Sequence, residues 1–192
     1  MSILNTIIAQ YRTGGQNLFH WLGQSLKQEY TIVHEPFNRE YNSHTNDTTH
    51  QDLSWVHKDK KYFMKDLWYP DVNYDKILEK SNVVVCLYRE NLHEQVISQM
   101  YSKKTKKFHH GYTQKDVDMI FSQDDYDRTK LELEYNKKSI INFADYHKLP
   151  TVSYENLYYR DGINLIKEVF NIESNVPFPY GSKYFNKEVK FI

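Results

Sequence analysis

The five consecutive apolar residues Val83-Val84-Val85-Cys86-Leu87 leave an extended chain no solvent-facing side, because successive side chains of a strand point to opposite faces. Periodicity alone also admits a buried helical segment. Read as a strand, the run needs cover on both faces, and parallel sheets obtain that cover from helices. The rest of the chain supplies the parts. Ile3 to Ala9 is a second apolar, isoleucine-rich segment, broken at Gly14-Gly15 and followed by Leu18, Trp21, Leu22 and Leu26 at helical spacing. Tyr30 to His34 is a further strand, stopped by Pro36, which biases Glu35 toward an extended conformation.

Beyond the apolar run, Leu92, Val96 and Met100 repeat every four residues, as on one face of a helix. Leu133, Ile140, Ile141 and Ala144 predict a long helix that ends near His147, with Pro150 blocking its continuation. Thr151 to Tyr154 reads as a short strand, and Ile163, Ile166 and Phe170 mark a last helix before an aromatic, irregular tail from Pro177 to Ile192. Asn38 to Lys61 has no hydrophobic period and reads as a mobile loop, a lid or acceptor-binding segment. Alternating strands and helices predict an α/β fold in three layers, a central parallel sheet flanked by helices. The 192 residues fit one domain spanning 1–192.

Composition narrows function mainly by exclusion. Lys+Arg 25 balance Asp+Glu 25, so no long-range field draws in nucleic acid or anionic lipid, and any anion site must be local. The single Cys86 sits in an apolar run, can form no intramolecular disulfide, and fits a reducing, cytoplasmic setting. No apolar stretch approaches the length of a membrane span, and Met1 to Ala9 lacks the flanks of a signal peptide. Nine histidines, including His44, His50, His57, His109 and His110, show no metal-ligand spacing, so no metal is expected. Trp55, Trp68 and Tyr69 read mostly as core, with sugar stacking as the alternative. Lys103 to Lys107 reads as a solvated, dipole-compensating helix end.

In parallel sheets ligands bind beyond the carboxyl ends of the strands, where Arg12, Glu35 and Arg89 should lie. Tyr11-Arg12-Thr13-Gly14-Gly15-Gln16-Asn17 joins a strand to a helix, a setting in which N–H groups and the helix dipole attract anions. No Lys follows the glycines, so this is not a nucleoside-triphosphatase P-loop. Read alone, the loop is better taken as a plain strand-to-helix turn with Arg12 solvated. Arg89 leaves the apolar strand and Ser98 follows on the next helix, so the two could share one phosphate; Arg89 fits equally an ion pair with Glu90 or Glu94.

Taken together, the Arg12 to Gln16 loop resembles the phosphosulfate loop of sulfotransferases that use 3'-phosphoadenylyl sulfate, and Arg89 to Ser98 resembles their 3'-phosphate motif. His34 to Phe37 and Tyr154 to Leu157 are similar to segments of carbohydrate-type and bacterial members. The resemblance implies a nucleotide-kinase-like sheet and transfer of a sulfuryl group from 3'-phosphoadenylyl sulfate to a hydroxyl of a carbohydrate or other small molecule. Carried over by position, Arg12 contacts the transferring group, Thr13, Gly14, Gly15, Gln16 and Asn17 cradle the 5'-phosphosulfate, and Arg89 with Ser98 holds the 3'-phosphate. Glu35 takes the place of an acidic general base. His34 ranks below it, because strand alternation should turn it to the opposite face. Gly15 and Gln16 stand where the family carries hydroxyl residues, Arg89 and Ser98 are nine rather than eight residues apart, and Lys183 and Lys187 stand in for the family's C-terminal basic motif. The competing reading is a non-catalytic nucleotide-binding or interaction protein on the same fold. A phosphotransferase is disfavoured by the missing P-loop lysine.

Overall fold

The computed structural model describes residues 3–26, 29–37, 53–105, 120–179 and 190–191. In chain order the elements are β1 (Ile3–Ala9), α1 (Gly15–Leu26), β2 (Thr31–His34), β3 (Lys61–Leu67), α2 (Asp75–Lys80), β4 (Val83–Tyr88) and α3 (Leu92–Thr105). They continue with β5 (Ile120–Phe121), α4 (Gln123–His147), β6 (Thr151–Ser153), α5 (Tyr154–Tyr159), α6 (Gly162–Phe170) and β7 (Lys190–Phe191). Five strands form one sheet in the order β2-β3-β1-β4-β6, and every pairing in it is parallel.

Alternation along the strands sorts their side chains between two cores. Ile7, Phe63, Val85, Leu87 and Val152 pack with Leu18, Trp21 and Leu22 of α1 and Ile166 and Phe170 of α6. Leu4, Ile8, Met64, Val84 and Cys86 face the other way, onto Ile77 of α2 and Ile140 and Ala144 of α4. This is the expected three-layer α/β architecture. The apolar run at Val83 to Leu87 is indeed an interior strand, with β1 on one side and β6 on the other.

α4 is the long helix the spacing predicts, and its ends are chemically marked. Ser122 Oγ accepts from Asp125 N, and Lys148 closes the C-terminus in the left-handed conformation. α5 begins where the sequence predicts the end of a strand: Ser153 Oγ accepts from Asn156 N, so Tyr154 opens a helical turn. The segment expected to be a loop up to Lys61 already starts β3 at that residue; 53–60 hold no helix or strand, and 38–52 lie outside the described residues. The tail is not wholly irregular, since β7 pairs in parallel with β5. No helix among the described residues is long and apolar enough to cross a membrane.

Candidate active site

β1 is flanked by β3 and β4, so the loop leaving it opens between the strands that run to opposite halves of the sheet, the usual ligand crevice of such folds. This loop is tightly tied. Thr13 Oγ1 donates to the Gln10 carbonyl at 2.8 Å, so its hydroxyl closes the loop rather than facing a ligand. The Gly14 carbonyl accepts from Asn17 N and Leu18 N, opening α1, and from the Tyr158 hydroxyl at 2.5 Å. Gly14 has φ +68°, and a side chain there would strike the rings of Tyr154 and Tyr158. At Gly15 a methyl group would approach Lys65 Cε to 3.1 Å, so the glycine admits the Lys65 stem against the start of the helix. The first turn of α1 carries no acidic residue to oppose an anion.

Four non-glycine residues among those described have positive φ. Lys148 and Asn171 are ordinary helix C-caps. The other two, Arg12 at +62° in the loop after β1 and Glu35 at +45° directly after β2, stand at the carboxyl edge of the sheet. Such backbone costs on the order of 1 kcal/mol or more at a non-glycine residue and is retained where its surroundings hold it. At Arg12 the hold is visible: its carbonyl accepts from Arg89 Nη1 at 3.3 Å, and its Nε donates to Ser98 Oγ at 2.9 Å. Arg12 is therefore not simply solvated.

Glu35 is anchored through its N–H, which donates to the Lys65 carbonyl at 2.6 Å, and through Oε1, which accepts from Lys65 Nζ. Both partners of this ion pair are withdrawn from water, their side chains 4% and 8% exposed. Burial lowers the Lys65 ammonium from its usual range, the Glu35 carboxylate opposes that, and Arg12 adds to the lowering through its own charge. His34 was expected to point away from Glu35. Instead its Nε2 lies 3.6 Å from Glu35 Oε1, because the left-handed turn at Glu35 breaks the alternation of the strand and swings the carboxylate back beside its neighbour. His34 also packs its ring on Phe19 of α1 at 5.1 Å.

On the other flank, the expected pairing of Arg89 with Ser98 is rearranged. Ser98 belongs to the face of α3 that turns toward the β1 loop, where Gln95 Nε2 donates to the Tyr11 carbonyl at 2.6 Å, and it bonds Arg12. Arg89, buried at 5% exposure, donates to Glu94 Oε2 at 2.6 Å and has Glu155 Oε1 3.7 Å from its Nε. Its guanidinium lies over the Tyr154 ring at 4.3 Å. Arg12, Ser98 and Arg89 thus form one connected cluster rather than two separate sites.

Gln16 and Asn17 lie in the first turn of α1, partly exposed. Lys183, Lys187, His44, His50, His109 and His110 fall outside the described residues. Trp68 is core, stacked on Tyr74 at 4.8 Å, and Trp55 packs against Tyr62. Tyr69 meets Tyr11 edge-on at 5.9 Å.

Two residues of this region, Lys65 and Asp66, escape a reading by sequence, and so does the role of a third, Glu155. Asp66 follows Lys65 on the opposite face of β3, and burial pushes its carboxyl from 3.8 up to about 7 although it accepts the N–H groups of Leu67 and Phe37. Glu155 accepts the N–H groups of Glu90 and Asn91 at 2.8 and 3.0 Å, fixing the turn after β4. Glu155 was visible within Tyr154 to Leu157; nothing local marks Lys65.

No family model matches the chain, and no curated protein matches it. Among solved structures it is similar to the mouse sulfotransferase SULT7A1 complexed with PAP, with a TM-score of 0.50 and 11% sequence identity over 89% of this chain. The chain spans 59% of that protein's length. The likeness is one of fold: a central parallel sheet flanked by helices, as in that sulfotransferase.

Proposed function

We propose that the protein is a sulfotransferase, moving a sulfuryl group from 3'-phosphoadenylyl sulfate to a hydroxyl acceptor of the carbohydrate or small-molecule class. The observation that carries this reading is the pair of strained residues, Arg12 and Glu35, set beyond β1 and β2 on either side of the strand that carries Lys65. The likeness of fold to a sulfotransferase supports it.

The residues fit such a donor. The α1 N-terminus offers aligned N–H groups behind two glycines, and Arg12 and Lys65 bring two cations to one end of it. Arg89 Nε is buried without a hydrogen-bond partner, 3.7 Å from Glu155 Oε1, and so keeps an unused donor. When bound, the donor supplies an activated sulfuryl group. Sulfuryl transfer is like phosphoryl transfer in that positioning and charge stabilisation do most of the work. Arg12, Lys65 and the loop amides would neutralise charge that grows during transfer, in a region largely withdrawn from water. Glu35, with His34 beside it, would take the acceptor's proton, and Lys65 would hold the carboxylate in place.

A second reading, a non-catalytic nucleotide-binding protein, draws on one observation: two carboxylates, Glu94 and Glu155, already answer the charge of Arg89. Transfer of labelled sulfuryl groups to an acceptor panel separates the two readings. For an enzyme, Glu35→Gln should keep nucleotide affinity and lose turnover by about 100-fold or more, whereas Arg12→Ala should lose both. Full activity in Glu35→Gln together with none in a folded His34→Ala would move the base to His34. Absence of transfer to every acceptor, with donor binding intact, would favour the second reading.

A further inference from the structure

The two carboxylates that hold Arg89 are not equivalent. Both Glu155 oxygens are engaged by backbone N–H groups, at 2.8 and 3.0 Å, and its side chain is 17% exposed, so Glu155 leaves only by giving up two charge-assisted hydrogen bonds. Glu94 holds Arg89 Nη2 at 2.6 Å from a side chain that is 43% exposed, while the arginine side chain is 6% exposed. The remaining contacts of the guanidinium, to the Arg12 carbonyl and the Tyr154 ring, place it beside the Arg12–Ser98 bond. Glu94 is thus the partner of Arg89 that can swing into water at little cost.

We propose that Glu94 is a specificity-determining residue for the anion bound at this cluster: its carboxylate occupies Arg89 until a phosphate monoester displaces it. The inference rests on, and deepens, the reading of the cleft as a donor-nucleotide site. Charge decides the exchange. A phosphate monoester carries about −1.5 to −2 at neutral pH and offers Arg89 and Arg12 more than one carboxylate does. A phosphodiester or sulfate ester carries a single negative charge, no more than Glu94 already supplies, and loses the freedom that an intramolecular partner has already given up. Terminal phosphate monoesters are therefore selected over singly charged esters of the same shape.

The test is calorimetric titration of the full chain with 3'-phosphoadenosine 5'-phosphate and with the same nucleotide methylated to a diester at its 3'-phosphate. Wild type should favour the monoester by about tenfold or more, the scale of one charge-assisted contact. Glu94→Gln should bind both ligands more tightly and narrow that preference to about threefold or less. Glu94→Ala should behave likewise, since the gain comes from removing a competing charge. Unchanged or weaker binding in both variants would overturn the proposal and leave Glu94 a structural partner of Arg89. Inorganic pyrophosphate serves as a nucleotide-free probe. If wild type binds the 3'-phosphorylated nucleotide no better than AMP, the donor reading fails; a gain in pyrophosphate affinity in Glu94→Gln would still uphold the competing carboxylate, and no gain would overturn it too.

Discussion

On the β2–β3 flank of the cleft Lys65 and Glu35 are both withdrawn from solvent and answer each other, whereas on the β4 flank Arg89 is withdrawn but one of its carboxylates, Glu94, stands half in water. The first arrangement fixes geometry. Two buried charges can separate only if one of them is left uncompensated in a poorly solvated place. The second arrangement allows exchange, because an exposed carboxylate has water to receive it. A cleft with one locked and one exchangeable flank can keep a reacting group in place on one side while admitting an anionic ligand on the other.

The largest expected effect comes from breaking the locked flank. Lys65→Met removes the buried ammonium that answers the Glu35 carboxylate and should destabilise the protein by about 3 to 5 kcal/mol, seen as a lower denaturation midpoint at neutral pH. Glu94→Gln on the other flank should change stability by less than about 1 kcal/mol. Equal losses would erase the distinction between the flanks.

A second effect, no larger in order of magnitude, sharpens the account of β3. The Asp66 carboxyl is raised from 3.8 to about 7 by burial, so the folded state binds its proton more tightly than the unfolded chain. Its contribution to stability is therefore greatest below pH 4 and falls as pH rises toward 7, levelling off above that. Asp66→Asn should flatten this part of the stability profile, measured by urea denaturation across pH 4 to 8. A profile unchanged by the substitution would place the titrating group elsewhere.

The smallest effect concerns the loop between the flanks. Tyr158→Phe removes the hydroxyl that bonds the Gly14 carbonyl and should cost about 1 kcal/mol, with donor-nucleotide affinity falling about fivefold. An unaltered affinity at reduced stability would show that Tyr158 supports the fold without setting the loop.

Much of the sheet was legible because its strands are apolar runs: β1 and β4 announce themselves by isoleucine and valine, and α4 and α6 by their period. β3 was not. In Lys61-Tyr62-Phe63-Met64-Lys65-Asp66-Leu67 two adjacent charges interrupt the apolar run, and charges ordinarily signal solvent. Here alternation sends Lys65 to the α1 face, where Glu35 meets it from 30 residues away, and sends Asp66 to the other face. Such pairing is a tertiary fact with no local pattern. The same holds for the site. The loop from Arg12 to Gly15 and the position of Glu35 could be read from strand ends and glycines, yet the left-handed turn at Glu35 that brings His34 beside it could not, since glutamate is not a residue that marks positive φ. The partnership of Ser98 with Arg12 depends on the rotation of α3 about its axis, which an interval counted along the chain does not fix.

The central claim is the proposal that the connected cluster of the Arg12 to Gly15 loop, Ser98 and Arg89 binds a nucleotide through its phosphates. Calorimetric titration of the wild-type chain with 3'-phosphoadenosine 5'-phosphate, alongside AMP and ATP, tests it most directly. The account predicts saturable binding of the 3'-phosphorylated nucleotide, tighter than either competitor by about tenfold or more, without added magnesium. Equal affinity for AMP, or a preference for ATP that depends on magnesium, would contradict it.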